Sequence, residues 1–346
     1  MRIMHTVALT SAELSQVKEL VDEIAEEIRT VEDAEFLANV AVYAHRMPED
    51  LRAGLNSFRL REPSSICRIS GYEIDDSAIG RTPAHWSQVD TPSPALREEI
   101  FFMLCGYLLG EPVGWATQQA GRILHNVVPI KGRETDQVGW GSTVELKWHT
   151  EDAFHPYRTD YVALMCMRNP DMTGTTYASS ESLSLSDDCV DLLFSPRFVL
   201  RPDDSHLEEL DPDVLDRTGA TTELVERSRT WLQGMIDTPE PVAVLYGDRR
   251  QPYMRLDPYY MDAVSGDLEA REALDELFKA IDGSLQQVTL EAGDICFIDN
   301  FRAVHGRNPF KPRYDGTDRW LKRLNITRDL RKSRSGRVAS DARVIF

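Results

Sequence analysis

The chain has 346 residues, enough for one sizeable core but small for two full catalytic domains. Its 42% hydrophobic and 28% charged residues are ordinary for a globular protein, while 57 acidic against 39 basic residues leave a formal charge of -18. That balance excludes an extended nucleic-acid interface, whose phosphates need concentrated Lys and Arg, and no apolar run reaches the length of a membrane span.

In chain order, Leu14, Val17, Leu20, Val21, Ile24 and Ile28 recur at helical spacing and predict a helix over 11–30, with Ser11 as its N-cap. Further helices are expected over 32–45 and over 94–110, the latter closed by Gly110 and Pro112. The Pro-, Ser- and Gly-rich stretch between these two reads as loop with one strand. Residues 1–112 are thus mainly helical. From about residue 113 short strands are predicted at 121–128, 142–149, 161–167, 196–200, 242–247, 286–290, 294–299 and 319–327. One amphipathic helix interrupts them at 267–281, with Leu268, Leu274, Leu277, Phe278 and Ile281 on one face. The acidic stretch 202–240 is too long for a simple connection and is expected to form a mobile lid over a site. Strands separated by turns rather than by regular helices predict a mostly β fold with added helices, a jelly roll over 113–330, followed by a tail at 331–346.

The five cysteines, Cys67, Cys105, Cys166, Cys189 and Cys296, form no CxxC pair and include two in apolar runs. The N-terminal MRIMHTVALTSAEL has no continuous apolar core of a secretory signal. A reducing, cytoplasmic location is the expectation.

Two His and one carboxylate on one face of an iron leave positions open for oxygen and a chelating co-substrate. His-x-Asp/Glu supplies two of these ligands from one strand, because residues i and i+2 share a face. Eight histidines and 57 acidic residues give about one such match by chance, so the motif alone is weak. The chain has two, His149-Thr150-Glu151 and His206-Leu207-Glu208. His206 lies in the polar run DDSHLEELDPD and reads as a solvated loop, whereas His149 follows an apolar-alternating segment. His155 is too close to Glu151 to complete the set, which leaves His305, in GDICFIDNFRAVHGR. Beyond it, Arg319, Leu321 and Arg323 would share one face of a strand, and two inward arginines are costly unless each meets an anion. A guanidinium suits the distal carboxylate of 2-oxoglutarate, while pairing with acidic residues of the chain is the competing reading.

The runs WHTEDAFHPYRTDYVALMCMRNPD and GDICFIDNFRAVHGRNPFKPRYDGTDRWLKRL closely resemble the clavaminate synthase-like branch of non-haem iron oxygenases. Within it they look most like the amino-acid hydroxylases typified by the arginine 3-hydroxylase of viomycin biosynthesis. The likeness continues through GEPVGWATQQAGRILHNVVP and LYGDRRQPYMRLDPYYMD, from about residue 105 to 330. It implies a distorted double-stranded β-helix (jelly roll) with a helical N-terminal part. It implies iron on His149, Glu151 and His305, and 2-oxoglutarate on Arg319. It also implies an amino-acid substrate held by Gln118 and Glu151 at its α-amino group and by Arg323 at its α-carboxylate. The branch grips a guanidinium with two aspartates spaced by one residue; here Asp257 fits the first, but the second position is Tyr259. Asp257 also reads as a turn residue before Pro258. The expected reaction is dioxygenase hydroxylation of C3 or C4 of a free amino acid, with succinate and carbon dioxide as co-products and a place in antibiotic biosynthesis. Arginine is the favoured substrate; lysine and citrulline stay open, as do desaturation or cyclisation by the same machinery. A non-catalytic jelly-roll binding protein is the reading from a different class.

Overall fold

A computed structural model describes residues 4–346 apart from Val89 and Glu208, so the acidic member of the second His-x-Glu match lies outside the described residues. Thr10, rather than Ser11, caps the first helix, Ser11–Glu27: its hydroxyl accepts from the Glu13 amide while the Glu13 carboxylate accepts from the Thr10 amide. That reciprocal pair draws Ser11 into the first turn, and the helix stops before 30 because Ile28 is already extended. Helix Ala34–Ala44 starts at an Asp33 cap.

The stretch expected as loop is in part helical, Glu49–Arg61, followed by the strand Ile66–Ser70. Leu51, Leu55 and Phe58 are buried on one face, and that stripe outweighs Gly54 and Ser57 in the interior. A fourth helix, Leu96–Tyr107, is buried almost throughout.

The core is two facing sheets. The larger runs His5–Ala8, Ile66–Ser70, Ile295–Asp299, Tyr161–Arg168, Trp320–Thr327, Glu111–Trp115, Val344–Ile345, with Leu124–Val127 also paired to Trp320–Thr327. The smaller is antiparallel, in the order Gln286–Val288, Thr175–Ser179, Ala303–Arg307, Leu146–His149. Strand alternation sorts the side chains of the large sheet. Tyr161, Ala163 and Met165 pack with the N-terminal helices, whereas Val162, Leu164 and Cys166 pack with Val288, Leu290 and Ala303. The outer face of the small sheet, through Trp148, Ala178 and Val304, is covered by helix Leu268–Ser284. Leu268 departs from the expected stripe: as the first helical residue it lies beyond the covered face and is 72% exposed.

The predicted strands are present but mostly shorter. The strands at Thr175–Ser179 and Ala303–Arg307 carry no apolar alternation, and pairing to neighbours creates them. The expected tail contributes Val344–Ile345, which pairs in parallel with Gly114 and Trp115. The acidic stretch 202–240 folds into a short turn, Asp204–His206, and two helices, Pro212–Thr218 and Thr222–Asp237. All five cysteines are buried and unpaired, and no helix of the described residues is long and apolar enough to cross a membrane.

Candidate active site

The small sheet brings the two histidines together: His149, at the end of its strand, stands directly opposite His305 in register, and their rings are 4.7 Å apart. Glu151 lies just past the strand, in a turn whose backbone is fixed. The Glu151 amide donates to Asn300 Oδ1 at 2.7 Å, and its carbonyl accepts from Asn300 Nδ2 at 3.0 Å. Thr150 is pinned through both backbone and hydroxyl to Leu256. Glu151 Oε2 then lies 3.8 Å from His149 Nε2 and 3.5 Å from His305 Nε2.

This set fits a metal ion. One donor atom from each of the three residues lies within 4.8 Å of the other two. His149 Nδ1 contacts the Lys147 carbonyl at 2.9 Å, so a proton there leaves the Nε2 lone pair facing Glu151. Burial lowers the His149 pKa, but Glu151 and Asp257 outweigh it and raise it to about 9. Burial lowers that of His305 despite Glu151. Burial raises that of Glu151, yet Arg323 and the two imidazoles hold it well below the usual carboxylate range. The pocket therefore favours positive charge between these three groups.

Arg319, Leu321 and Arg323 line the same pocket as the histidines, as strand alternation requires. Arg319 precedes its strand by one residue, and the register shifts between Trp320 and Leu321. Its guanidinium is buried and, among the described residues, makes no hydrogen bond or ion pair; Nε has no partner at all, and the ring of Phe310 lies 5.8 Å away. Burial lowers its pKa to about 10. Among the described residues Arg307 beside it donates only to backbone carbonyls, of Gly141, Val144 and Asn308. Burial and Arg319 together lower its pKa to about 9. Among the described residues neither of these two cations pairs with a carboxylate, an arrangement that suits an anionic ligand.

Arg323 is the opposite case. It donates to Glu151, to Gln118 Oε1 at 3.0 Å and to His125 Nδ1 at 2.8 Å. Burial and Arg323 push the His125 pKa down to about 3, so the ring is neutral and accepts. The competing expectation, pairing with an acidic residue of the chain, is therefore met at Arg323 and not at Arg319.

Asp257 and Tyr259 also line the pocket, Asp257 near enough to His149 for their charges to interact. Asp257 is half-buried; its Oδ1 accepts from the Tyr259 amide at 2.9 Å, so it is a turn residue as well as a pocket residue. Burial raises its pKa, against the pull of His149. Asp203 and Ser205, from the 202–240 stretch, also reach this pocket.

The reading of His206 as solvated is corrected. It is 3% exposed, packed edge-on against Trp115 and Phe154, with Nε2 2.9 Å from Asp152 Oδ1 and Nδ1 2.9 Å from Thr117 Oγ1. The flanking acids made the segment look like surface, but they cap and turn the backbone while the ring points inward. Asp152, Asp203 and Ser205 gather beside His206 or in the pocket with no sequence expectation pointing to them. Nothing in their local sequence distinguishes them from other surface acids and serines.

A family model described as taurine catabolism dioxygenase TauD, TfdA family, matches residues 91–325. The chain is 46% identical to an enduracididine beta-hydroxylase of Streptomyces hygroscopicus over 99% of its own length and all of that protein. It is 47% identical to an L-ornithine/L-arginine 3-hydroxylase of Catenulispora acidiphila, over the same shares of the two chains. Among solved structures, the non-heme iron oxygenase OrfP with Fe, succinate and (3S)-hydroxy-L-Arg matches with a TM-score of 0.89 at 44% identity, covering 99% of each chain. OrfP with Fe and alpha-ketoglutaric acid matches with a TM-score of 0.85 at 42% identity, over 99% of this chain and 100% of that one.

Proposed function

The chain belongs to the TauD/TfdA dioxygenase family and is an Fe(II)- and 2-oxoglutarate-dependent amino-acid hydroxylase, and from that premise we propose the following assignment of its pocket. Iron is held by His149, Glu151 and His305, 2-oxoglutarate by Arg319, and free L-arginine by Gln118, Glu151, Arg323 and Asp257. The observation that carries this is the convergence of a two-imidazole, one-carboxylate set beside a buried guanidinium that has no anion of its own.

Iron bound there supplies oxygen activation coupled to decarboxylation of 2-oxoglutarate, giving succinate, carbon dioxide and a hydroxylated aliphatic carbon. The chain's own work is placement. Asn300 and Thr150 fix the backbone that carries Glu151, so the carboxylate need not be ordered when ligands bind. Arg319 orients the co-substrate through its distal carboxylate. Arg323, already among Glu151, Gln118 and His125, receives the amino acid's α-carboxylate. The Gln118 amide and Glu151 receive the α-amino group. Asp257, kept in a low-dielectric wall, faces the distal cation, and Asp203 and Ser205 bring the 202–240 stretch over the same pocket as its lid. These contacts fix which carbon, C3 or C4, lies beside the metal, since C–H reactivity depends steeply on position. Five buried free thiols fit a reducing compartment, and we place the enzyme in the cytoplasm. We also assign the reaction to antibiotic biosynthesis.

The test is mass spectrometry of arginine, ornithine, enduracididine, lysine and citrulline incubated with the enzyme, Fe(II) and 2-oxoglutarate, with succinate measured in parallel. One added oxygen on arginine, matched by succinate, is expected. Faster oxygenation of citrulline would refute the cationic substrate, and absence of succinate with every amino acid would refute the enzyme class.

A further inference from the structure

The turn that presents Gln118 is an unfavourable piece of backbone. Gln119, Ala120 and Gly121 have φ of 43°, 56° and 68° in succession, and only the third is a glycine. Asp152, which accepts from Gln118 Nε2 at 3.2 Å, is itself left-handed with φ 50°. Side chains L-residues carry do not hold such a turn unaided, so something must over-determine it.

Two clamps do so. One is internal: the Gln119 amide pairs with both backbone groups of Asn126, at 2.9 and 3.0 Å. The other comes entirely from the inserted stretch. Ser205 Oγ accepts from Gln118 Nε2 at 3.1 Å, His206 Nδ1 meets the Thr117 hydroxyl, and Arg217 donates to the Ala120 carbonyl. Arg217 is held in turn by Glu32 at 3.3 Å. Gly121 shows how close this docking is: a Cβ there would stand 3.2 Å from Arg217 Nη2 and 3.3 Å from Val214. His206 Nε2 lies 2.9 Å from Asp152 Oδ1 and 3.1 Å from Gln118 Nε2, so its ring joins the insertion to both groups at once. With Thr117 donating to Nδ1, the Nε2 proton goes to Asp152, which leaves the Gln118 amide oriented with its N–H groups toward Asp152 and Ser205 and its oxygen toward Arg323.

We infer that the inserted stretch, through Ser205, His206 and Arg217, completes the amino-acid α-subsite by holding the left-handed 119–121 turn behind Gln118, with His206 as the positioning residue that sets the Gln118 amide. The insertion is then more than a cover: substrate recognition at the α-end exists only while it is docked. This rests on Gln118 meeting the α-amino group.

The experiment uses the full-length iron-loaded enzyme and compares arginine with its deamino analogue, 5-guanidinopentanoate, as substrate and competitor. In wild type arginine should be preferred. In His206→Ala the arginine KM should rise about tenfold or more while the 2-oxoglutarate KM and the analogue's affinity stay within about twofold, because only the α-amino contact is lost. His206→Gln, whose amide N–H can reach Asp152, should recover most of the preference. Equal loss for arginine and the analogue, or an unchanged arginine KM, would overturn the inference. Gln118→Ala in parallel separates it from its premise. If that variant loses the preference and His206→Ala keeps it, the premise stands and the positioning role fails; if Gln118→Ala keeps it, both fail. Should His206→Ala not fold, Arg217→Ala, whose side chain is 40% exposed, carries the same comparison.

Discussion

Arg319, one residue before the strand Trp320–Thr327, and Arg323, within it, line the same pocket, yet their surroundings are opposed. Among the described residues Arg319 makes no ion pair or hydrogen bond, and the Phe310 ring and a second arginine lie beside it. Arg323 is engaged three ways, by Glu151, Gln118 and His125. Between them Lys322 points to the other side of the sheet and pairs with Glu99 at 2.7 Å under the N-terminal helices. The contrast teaches how to read buried charge. Lys322 has a dedicated partner and is structural. Arg323 belongs to a network that must open for a ligand, and Arg319 is left for an anion that the chain does not supply.

The largest effect that would sharpen this comparison is expected from Glu151→Ala. It removes a metal donor and leaves Arg323 without its anion, so iron content and succinate formation should both vanish. The metal-free fold should lose about 3 kcal/mol or more in a denaturant titration. Retained iron would break the assigned metal set. Chelation of wild type should abolish turnover reversibly, with Fe(II) restoring it.

Next, Lys322→Met should cost about 3 kcal/mol of stability by stranding buried Glu99, with both Michaelis constants unchanged. A shift in either constant would show that the cation on the helix side is coupled to the pocket. The smallest of the three, Asp257→Asn, should weaken arginine by about 2 kcal/mol, roughly thirtyfold in kcat/KM, and citrulline by much less. Equal losses for the two would make Asp257 a turn residue alone.

What the sequence made legible follows the same division. His149, which follows an alternating segment, and Arg323 are readable because period-two alternation fixes where such side chains point, whereas His305 is readable only by elimination among the histidines and by the family resemblance. The jelly roll was readable from strand texture. The helix Glu49–Arg61 was obscured by Gly54 and Ser57 within its apolar stripe, and Thr175–Ser179 and Ala303–Arg307 acquire strand character only from their neighbours. His206 and Asp152 were illegible for a further reason. They are far apart in the chain, on irregular backbone, and meet only through the docking of an insertion whose local composition is that of solvated surface. No periodicity encodes that contact.

The central claim, that the two arginines serve two different carboxylates, is tested most directly by crossing Arg319→Met and Arg323→Met against both substrates. Kinetics should be measured in the iron-loaded enzyme, with succinate as the readout. The account predicts that Arg319→Met raises the 2-oxoglutarate KM by about a hundredfold and the arginine KM little, and that Arg323→Met does the reverse. If both variants raise the same constant, or the assignment is exchanged, the account is contradicted.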